Sequence, residues 1–114
     1  MNFCDVYKGD RIIAKRVKYC GTFSRKLVGL MFTPTPGAGA FLPDVKDIHM
    51  NFVRFELKIV WLDGDFKVLH KVRAKRWKMY YGPARARHVL ELPVYNDSKI
   101  NIGDRLTIKT YERR

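Results

Sequence analysis

The chain has 114 residues, enough for one domain over residues 1–114 with a single modest core. Its 23 Lys and Arg residues against 11 Asp and Glu give a formal charge of +12, which indicates an anionic partner. No segment is apolar enough to span a membrane and the start lacks the pattern of a signal peptide, so we expect a cytoplasmic protein without a membrane partner.

The first part of the chain is predicted to form two strands and one short helix. Strands are expected around Ile12–Tyr19 and Ala40–Leu42. Between them, apolar residues recur at the spacing i, i+4, i+7 and i+8, which favours a helix over Ser24–Met31 with Ser24 as its N-cap. The segment TPTPGAG that follows is typical of a loop.

The segment IHMNFVRF, Ile48 to Phe55, changes its apolar parity partway along. Even positions are apolar before Phe52 and odd positions after it, which predicts a bulge or bend. One interpretation is that the bend turns polar side chains toward a small ligand, an anionic metabolite or a carbohydrate. The residues of that site would be His49, Asn51, Arg54 and Tyr81. The other interpretation is a strand that turns a corner, with a polar face that is simply hydrated.

The dipeptide Asp63-Gly64 predicts a β-hairpin, because a two-residue turn needs positive φ at both positions. A two-residue loop gives the apolar face these cross-strand pairs: Trp61 with Phe66, Ile59 with Val68, and Leu57 with His70. The other face then pairs Glu56 with Lys71. Further strands are expected around His88–Leu92 and Arg105–Tyr111.

Basic residues are concentrated between Phe66 and Leu90, a tract with eight cations and no acid. Aromatic residues alternate with them, and cations that neutralise phosphates beside rings that stack on bases are the chemistry of single-stranded nucleic acid binding. The candidate binding residues are Lys71, Arg73, Lys75, Arg76, Trp77, Lys78, Arg85 and Arg87. The alternative is that Trp77 belongs to the core and the charges form a solvated face.

Four motifs in this order resemble the domain of unknown function 192 family, and particularly its archaeal members: FSRKLVGLMF, IHMNFVRFELKIVWLDGD, YGPARARHVLELP and INIGDRL. The resemblance implies a small, mostly antiparallel β domain with one short helix and no established activity. Two departures from the family pattern are a Lys at 58 in place of an acid, and PVYND after LELP in place of a nearby Gly. Alternation with Leu90 and Leu92 along a strand predicts that Glu91 faces solvent, whereas the resemblance implies that it forms an internal brace with Arg25 or Arg85.

Catalytic and metal motifs are not apparent in the sequence. The three histidines and the acids lack the spacing of known catalytic or zinc motifs, so we expect no metal and no cofactor. Cys4 and Cys20 are expected to be reduced and buried, although a single disulfide between them remains open.

We therefore predict a mainly β fold, a small single-domain antiparallel sandwich or barrel with one short α-helix. The leading functional hypothesis is a non-enzymatic binding module for a polyanion, RNA or single-stranded nucleic acid. The small-ligand domain with its pocket at the bend is the first alternative, and an enzyme of unknown reaction is the second.

Overall fold

The computed structural model describes residues 2–22, 25–26 and 29–112. Its described residues form β-strands in the order β1 (Asn2–Lys8), β2 (Arg11–Tyr19), β3 (Ala40–Pro43), β4 (Ile48–His49), β5 (Leu57–Leu62), β6 (Val68–Ala74), β7 (Met79–Tyr80), β8 (His88–Pro93) and β9 (Thr107–Glu112). The predicted β2, β3 and β8 are confirmed to within one residue at each end. β9 begins two residues later than predicted, β4 is the first part of the strand predicted to bend, and β1 and β7 are strands that the sequence pattern does not predict.

Seven of these strands form one sheet in the order β6-β5-β8-β3-β2-β1-β9, and β4 pairs with β7 in a second, two-stranded sheet. Every neighbouring pair is antiparallel except β2 with β3. An isolated bridge between Lys67 and Arg105 brings the start of β6 to the segment before β9, so the two edges of the large sheet curl toward each other. The predicted mainly β, sandwich-like class is confirmed.

Hydrophobic cores lie on both faces of the large sheet. One core includes Val60, Leu90 and Leu92, and the other, under the small sheet, includes Trp61 and Val89. β8 lies between β5 and β3 and contributes alternate residues to the two cores, so both of its faces are buried. For this reason alternation along β8 does not place any residue in solvent.

Of the predicted helix over Ser24–Met31, residues 25–26 are helical, residues 29–31 form turns, and residues 27–28 lie outside the described part of the chain. Ser24 lies outside the described residues, but Thr22 Oγ1 accepts a hydrogen bond from the backbone N–H of Arg25 at 3.3 Å, as an N-cap does. The Gly29 N–H donates to the Arg25 carbonyl at 2.8 Å, and Gly29 has a φ of +51°. A left-handed glycine commonly ends a helix, so the turn closes at Gly29, before Met31.

The hairpin between β5 and β6 is confirmed, but its predicted register is wrong. The structure pairs Trp61 with His70, Ile59 with Val72 and Leu57 with Ala74, each four residues beyond the predicted partner. The loop has three residues, closed by a bond from the Phe66 N–H to the Asp63 carbonyl at 3.0 Å, with Phe66 at a φ of 62°. A register irregularity between Trp61 and Leu62 adds the remaining shift.

Glu56 consequently meets a different cation from the predicted Lys71. Its carboxylate accepts a hydrogen bond from Arg73 Nε at 2.7 Å. His70 is exposed and its ring stacks on Trp61 with centroids 5.6 Å apart.

The bend predicted from the parity change near Phe52 is confirmed. The Val53 N–H donates to the Met50 carbonyl at 3.3 Å, and Phe52 has a φ of 61°. The bend separates β4 from β5, which belong to different sheets. No helix in the described part of the chain is long and apolar enough to cross a membrane.

Candidate functional site

Three exposed aromatic rings form a continuous surface, which we call the aromatic ridge: Phe32, Phe52 and Trp77. Phe32 and Phe52 are stacked with centroids 5.0 Å apart, and Trp77 meets Phe52 edge-on at 5.1 Å. Their side chains are 59%, 48% and 57% exposed, respectively. Rings arranged in this way present open faces to solvent instead of filling a core.

The backbone of each ridge residue is left-handed, with φ values of 62°, 61° and 66° for Phe32, Phe52 and Trp77. For a residue other than glycine this conformation costs about 1–2 kcal/mol. Backbone bonds hold the three turns together: the Phe32 N–H donates to the Phe52 carbonyl at 3.0 Å, and the Trp77 N–H to the Met50 carbonyl at 3.1 Å. Neither backbone preference nor burial favours large aromatic residues at these three positions. Residues held in such unfavourable backbone conformations are typical of functional surfaces.

Cations flank the ridge on the turn that carries Trp77. Lys75, Arg76 and Lys78 are all exposed. The Lys75 backbone N–H donates to the Tyr80 hydroxyl at 2.7 Å, and Arg76 Nε donates to the Val53 carbonyl at 2.9 Å, so the turn is fixed on both sides. This part of the predicted basic tract therefore lies beside the rings.

A basic cleft lies along the strands that lead to the ridge, with a volume of about 680 Å³. Four cations line it, Lys58, Lys71, Arg73 and Lys99, and no acid among the described residues does so. Lys58 Nζ bonds the Asn96 carbonyl, and Lys71 Nζ bonds the Ile100 carbonyl at 2.6 Å. Since Lys71 and Arg73 lie on β6 and the ridge turn follows β6 directly, cleft and ridge are consecutive along the chain.

Arg85 and Arg87 are not near the ridge. The Arg87 N–H donates to the Leu62 carbonyl at 2.8 Å, beside the turn at Asp63. β6 separates this end of the sheet from Lys75, and its seven residues span about 20 Å at the usual rise per residue. The structure thus divides the eight predicted binding residues, with six at the cleft and ridge and two at the opposite end.

A separate pocket of about 290 Å³ lies under the second sheet, and Glu91 lines it. Glu91 is 5% exposed, and burial raises the pKa of its carboxyl to about 7. Neither expected role of Glu91 holds: it does not face solvent, and no ion pair or hydrogen bond joins its carboxyl to Arg25, Arg85 or any other described residue.

Of the four residues predicted to form a small-ligand site at the bend, only His49 lines this pocket. Asn51, Arg54 and Tyr81 are exposed and do not line this pocket. The Asn51 N–H donates to His49 Nδ1 at 3.2 Å. The pocket therefore lies beside the predicted bend, with His49 and Val53 in its lining.

The two cysteines are free and buried. Burial raises the pKa of the Cys4 thiol to about 12 and that of the Cys20 thiol to about 11. Thiols of this kind are unreactive. Because both cysteines are free and buried, the expectation of reduced, buried cysteines is confirmed.

Fold and surface together define a small, mainly β domain that presents aromatic rings and basic residues on its surface. Residues 6–108 match the family model DUF192, described as "Uncharacterized ACR, COG1430". The chain belongs to this family.

Related proteins are consistent with an archaeal type of member. A UPF0127 protein of Thermococcus sibiricus is 31% identical over 107 residues, covering 87% of this chain and 70% of that protein. A UPF0127 protein of Pyrococcus horikoshii is 28% identical over 97 residues, covering 79% of this chain and 84% of its own length.

A solved structure shares the fold. The crystal structure of a protein of unknown function from Novosphingobium aromaticivorans has a TM-score of 0.74 at 20% identity, covering 92% of this chain and 83% of that one. At this identity the similarity is one of fold.

Proposed function

We propose that this protein is a non-enzymatic binding module for single-stranded nucleic acid, which contacts bases with the aromatic ridge and phosphates with the basic residues beside it. The observation that carries the proposal is the ridge itself. Phe32, Phe52 and Trp77 are packed on one another, half exposed, and fixed in left-handed turns. Stacking of a base on an exposed aromatic ring contributes about 1–3 kcal/mol.

The charges around the ridge support an anionic partner over an apolar one. Lys75, Arg76 and Lys78 lie on the same turn as Trp77, and the cleft supplies four more cations along β5, β6 and the segment after β8. A ridge that served only as an apolar contact for another protein would not require these neighbouring cations. A single strand offers both exposed base faces and a phosphate chain, so it complements rings and cations together.

The order of the basic cleft and the aromatic ridge along the chain suggests the path of a bound single-stranded nucleic acid. Lys71 and Arg73 lie in the cleft, and Lys75 to Lys78 continue to the ridge. Because Lys71 and Arg73 share the face of the sheet that carries Val60, a phosphate chain bound there would pass around the edge strand β6 to bring its bases to the rings. Contacts of this kind position a strand without reading its sequence, so we expect weak sequence preference.

The experiment is fluorescence anisotropy with a labelled oligonucleotide of about 15 nucleotides, single-stranded or duplex. Four or five phosphate contacts predict that log affinity falls with log salt at a slope of roughly −3 to −4 on single strands. Reversing Lys75, Arg76 and Lys78 to Glu should weaken binding for all sequences alike and flatten the slope.

A matched control reverses three exposed cations elsewhere on the surface, Arg11, Lys15 and Arg105. Both triple variants change the net charge equally, so a purely long-range charge effect would weaken binding in both. We expect a much larger loss from the variant beside the ridge. Equal losses, or no binding at low salt, would show that the aromatic ridge does not bind nucleic acid.

A further inference from the structure

The pocket under the second sheet has an apolar body. Its apolar lining is supplied by Leu30, Met31, Leu42, Val45, Ile48 and Val53. At about 290 Å³ it is at the small end of the range for small-molecule sites, so its occupant is smaller than a typical drug molecule.

Glu91 gives this pocket a buried polar group without a partner. Its side chain is 5% exposed, and no hydrogen bond or ion pair joins its carboxyl to a described residue. The carboxyl lies toward the pocket wall at Gly29, where an added Cβ would be 3.5 Å from Oε1. Since no fully buried side-chain oxygen of the described residues lacks a partner, the Glu91 carboxyl opens onto the pocket, where it is available to a ligand group.

Acidic residues form a larger share of the pocket lining than of the whole protein. The chain has 11 acids against 23 Lys and Arg, yet three acids, Glu91, Asp44 and Asp47, line the pocket against one of those cations, Lys26. Lys46 and the Gly82 N–H both bond the Asp47 carboxylate, which lowers the pKa of Asp47 and keeps it ionised. With Asp47 already paired to Lys46, the carboxyls of Glu91 and Asp44 are the groups that favour a positive ligand over an anionic one.

The geometry of these acids favours an organic cation over a metal ion. Among the described residues no three His, Cys, Asp or Glu side chains converge as a metal site would require. One buried carboxyl at the end of an apolar cavity instead suits a ligand with one charged end.

We propose that this pocket binds a small organic cation, an ammonium or amidinium group on a short apolar body, with Glu91 receiving the charged end. This inference is independent of the aromatic ridge. Binding should ionise Glu91 and release its proton to solvent, so affinity for the cation should increase as the pH rises through neutrality.

The test is an NMR titration of the isotope-labelled full chain with n-butylammonium and with benzamidinium. n-Butanol and butyrate serve as neutral and anionic probes of similar apolar size. We expect saturable shifts of the amides of Met31, Ile48 and Val53 with the two cations and not with butyrate. Butyrate binding as tight as that of butylammonium would overturn the proposal.

Two substitutions locate the charge. Glu91→Gln should weaken butylammonium binding by at least about ten-fold, whereas Glu56→Gln, which removes an acid outside the pocket, should leave it unchanged. Asp44→Asn should weaken it by a smaller factor and serves if Glu91→Gln does not fold. Unchanged affinity in both pocket variants would refute the proposal.

A third variant separates this proposal from the nucleic acid function. Trp77→Gly removes a ridge ring and should leave butylammonium binding intact. Loss of cation binding in that variant would contradict a site centred on Glu91.

Discussion

Replacing Glu91 by Gln should change how the stability of the protein depends on pH. Burial raises the pKa of the Glu91 carboxyl from its ordinary value of 4.5 to about 7. As the pH rises above 4.5 the unfolded chain loses this proton while the folded protein keeps it. The contribution of Glu91 to the free energy of unfolding is therefore highest below about pH 4.5, where Glu91 is neutral in both states. It decreases between about pH 4.5 and 7 and is constant above that range.

The size of the effect follows from the two pKa values. One pKa unit corresponds to about 1.4 kcal/mol, so the wild-type protein should lose about 3 kcal/mol relative to Glu91→Gln across that interval. Gln stays neutral and has nearly the same shape. The other charged groups around the pocket, Lys26, Asp44, Asp47 and His49, are common to both proteins and cancel in the difference.

Urea denaturation measures this difference. Trp61 is 1% exposed and lies in the core beside the pocket, so its fluorescence reports global unfolding. The free energies of unfolding of the two proteins would be compared at several values between about pH 4 and 8.5. Glu56→Gln, which removes a partly exposed carboxyl, should show a difference that varies by less than about 1 kcal/mol.

Two results would refute the reasoning on Glu91. A difference that does not vary with pH would mean that the carboxyl titrates normally. A difference of the opposite sign, with Glu91→Gln less stable at higher pH, would mean that a cation such as Arg25 holds the carboxylate ionised.

Other consequences of the structure can be checked on stability and reactivity. Gly82→Ala should destabilise the protein by about 1–3 kcal/mol in urea denaturation, because a Cβ there would lie 2.5 Å from the Lys46 carbonyl and 2.6 Å from Trp61 Nε1. Gly64→Ala, where the nearest atom is 4.0 Å away, is its control, and equal effects would argue against close packing at Gly82. Cys4 and Cys20 should not react with a thiol reagent at about pH 8 until urea unfolds the chain, and rapid labelling of the native protein would contradict their burial. Phe52→Gly should change the unfolding free energy by no more than about 1 kcal/mol, since glycine relieves the left-handed backbone while the ring contacts are lost, and a much larger loss would make the ridge structural.

The sequence predicts strands better than it predicts how they pair. Apolar alternation correctly locates β5 and β6, but the Asp63-Gly64 pair predicts a two-residue turn where the structure has a three-residue loop. The Asp63 carboxylate accepts bonds from the N–H groups of Asp65 and Lys67 at 2.9 and 3.0 Å, which stabilises a longer loop. Since the correct register differs by an even number of residues, the apolar pattern is the same in both and cannot distinguish them.

The candidate sites were only partly predictable. Trp77 was singled out because it lies within a basic tract, whereas Phe32 and Phe52 are far from it in sequence and reach it through turns with positive φ, which composition does not reveal. Alternation on a strand indicates solvent exposure only when one face of the sheet is open, so it does not identify Glu91 as a buried group. β8 has neighbours on both sides and cores on both faces, and that is a property of the topology.

The most direct test of the nucleic acid function follows the fluorescence of Trp77 alone. The chain has two tryptophans, and Trp61→Phe leaves Trp77 as the single reporter on the aromatic ridge. Circular dichroism would first establish that this variant keeps the fold. Titration at low salt with a single-stranded oligonucleotide should quench Trp77 in a saturable way, more strongly than the matching duplex does, and added salt should reverse it. Unchanged Trp77 emission with single strands at low salt, or equal quenching by the duplex, would contradict base stacking on the ridge.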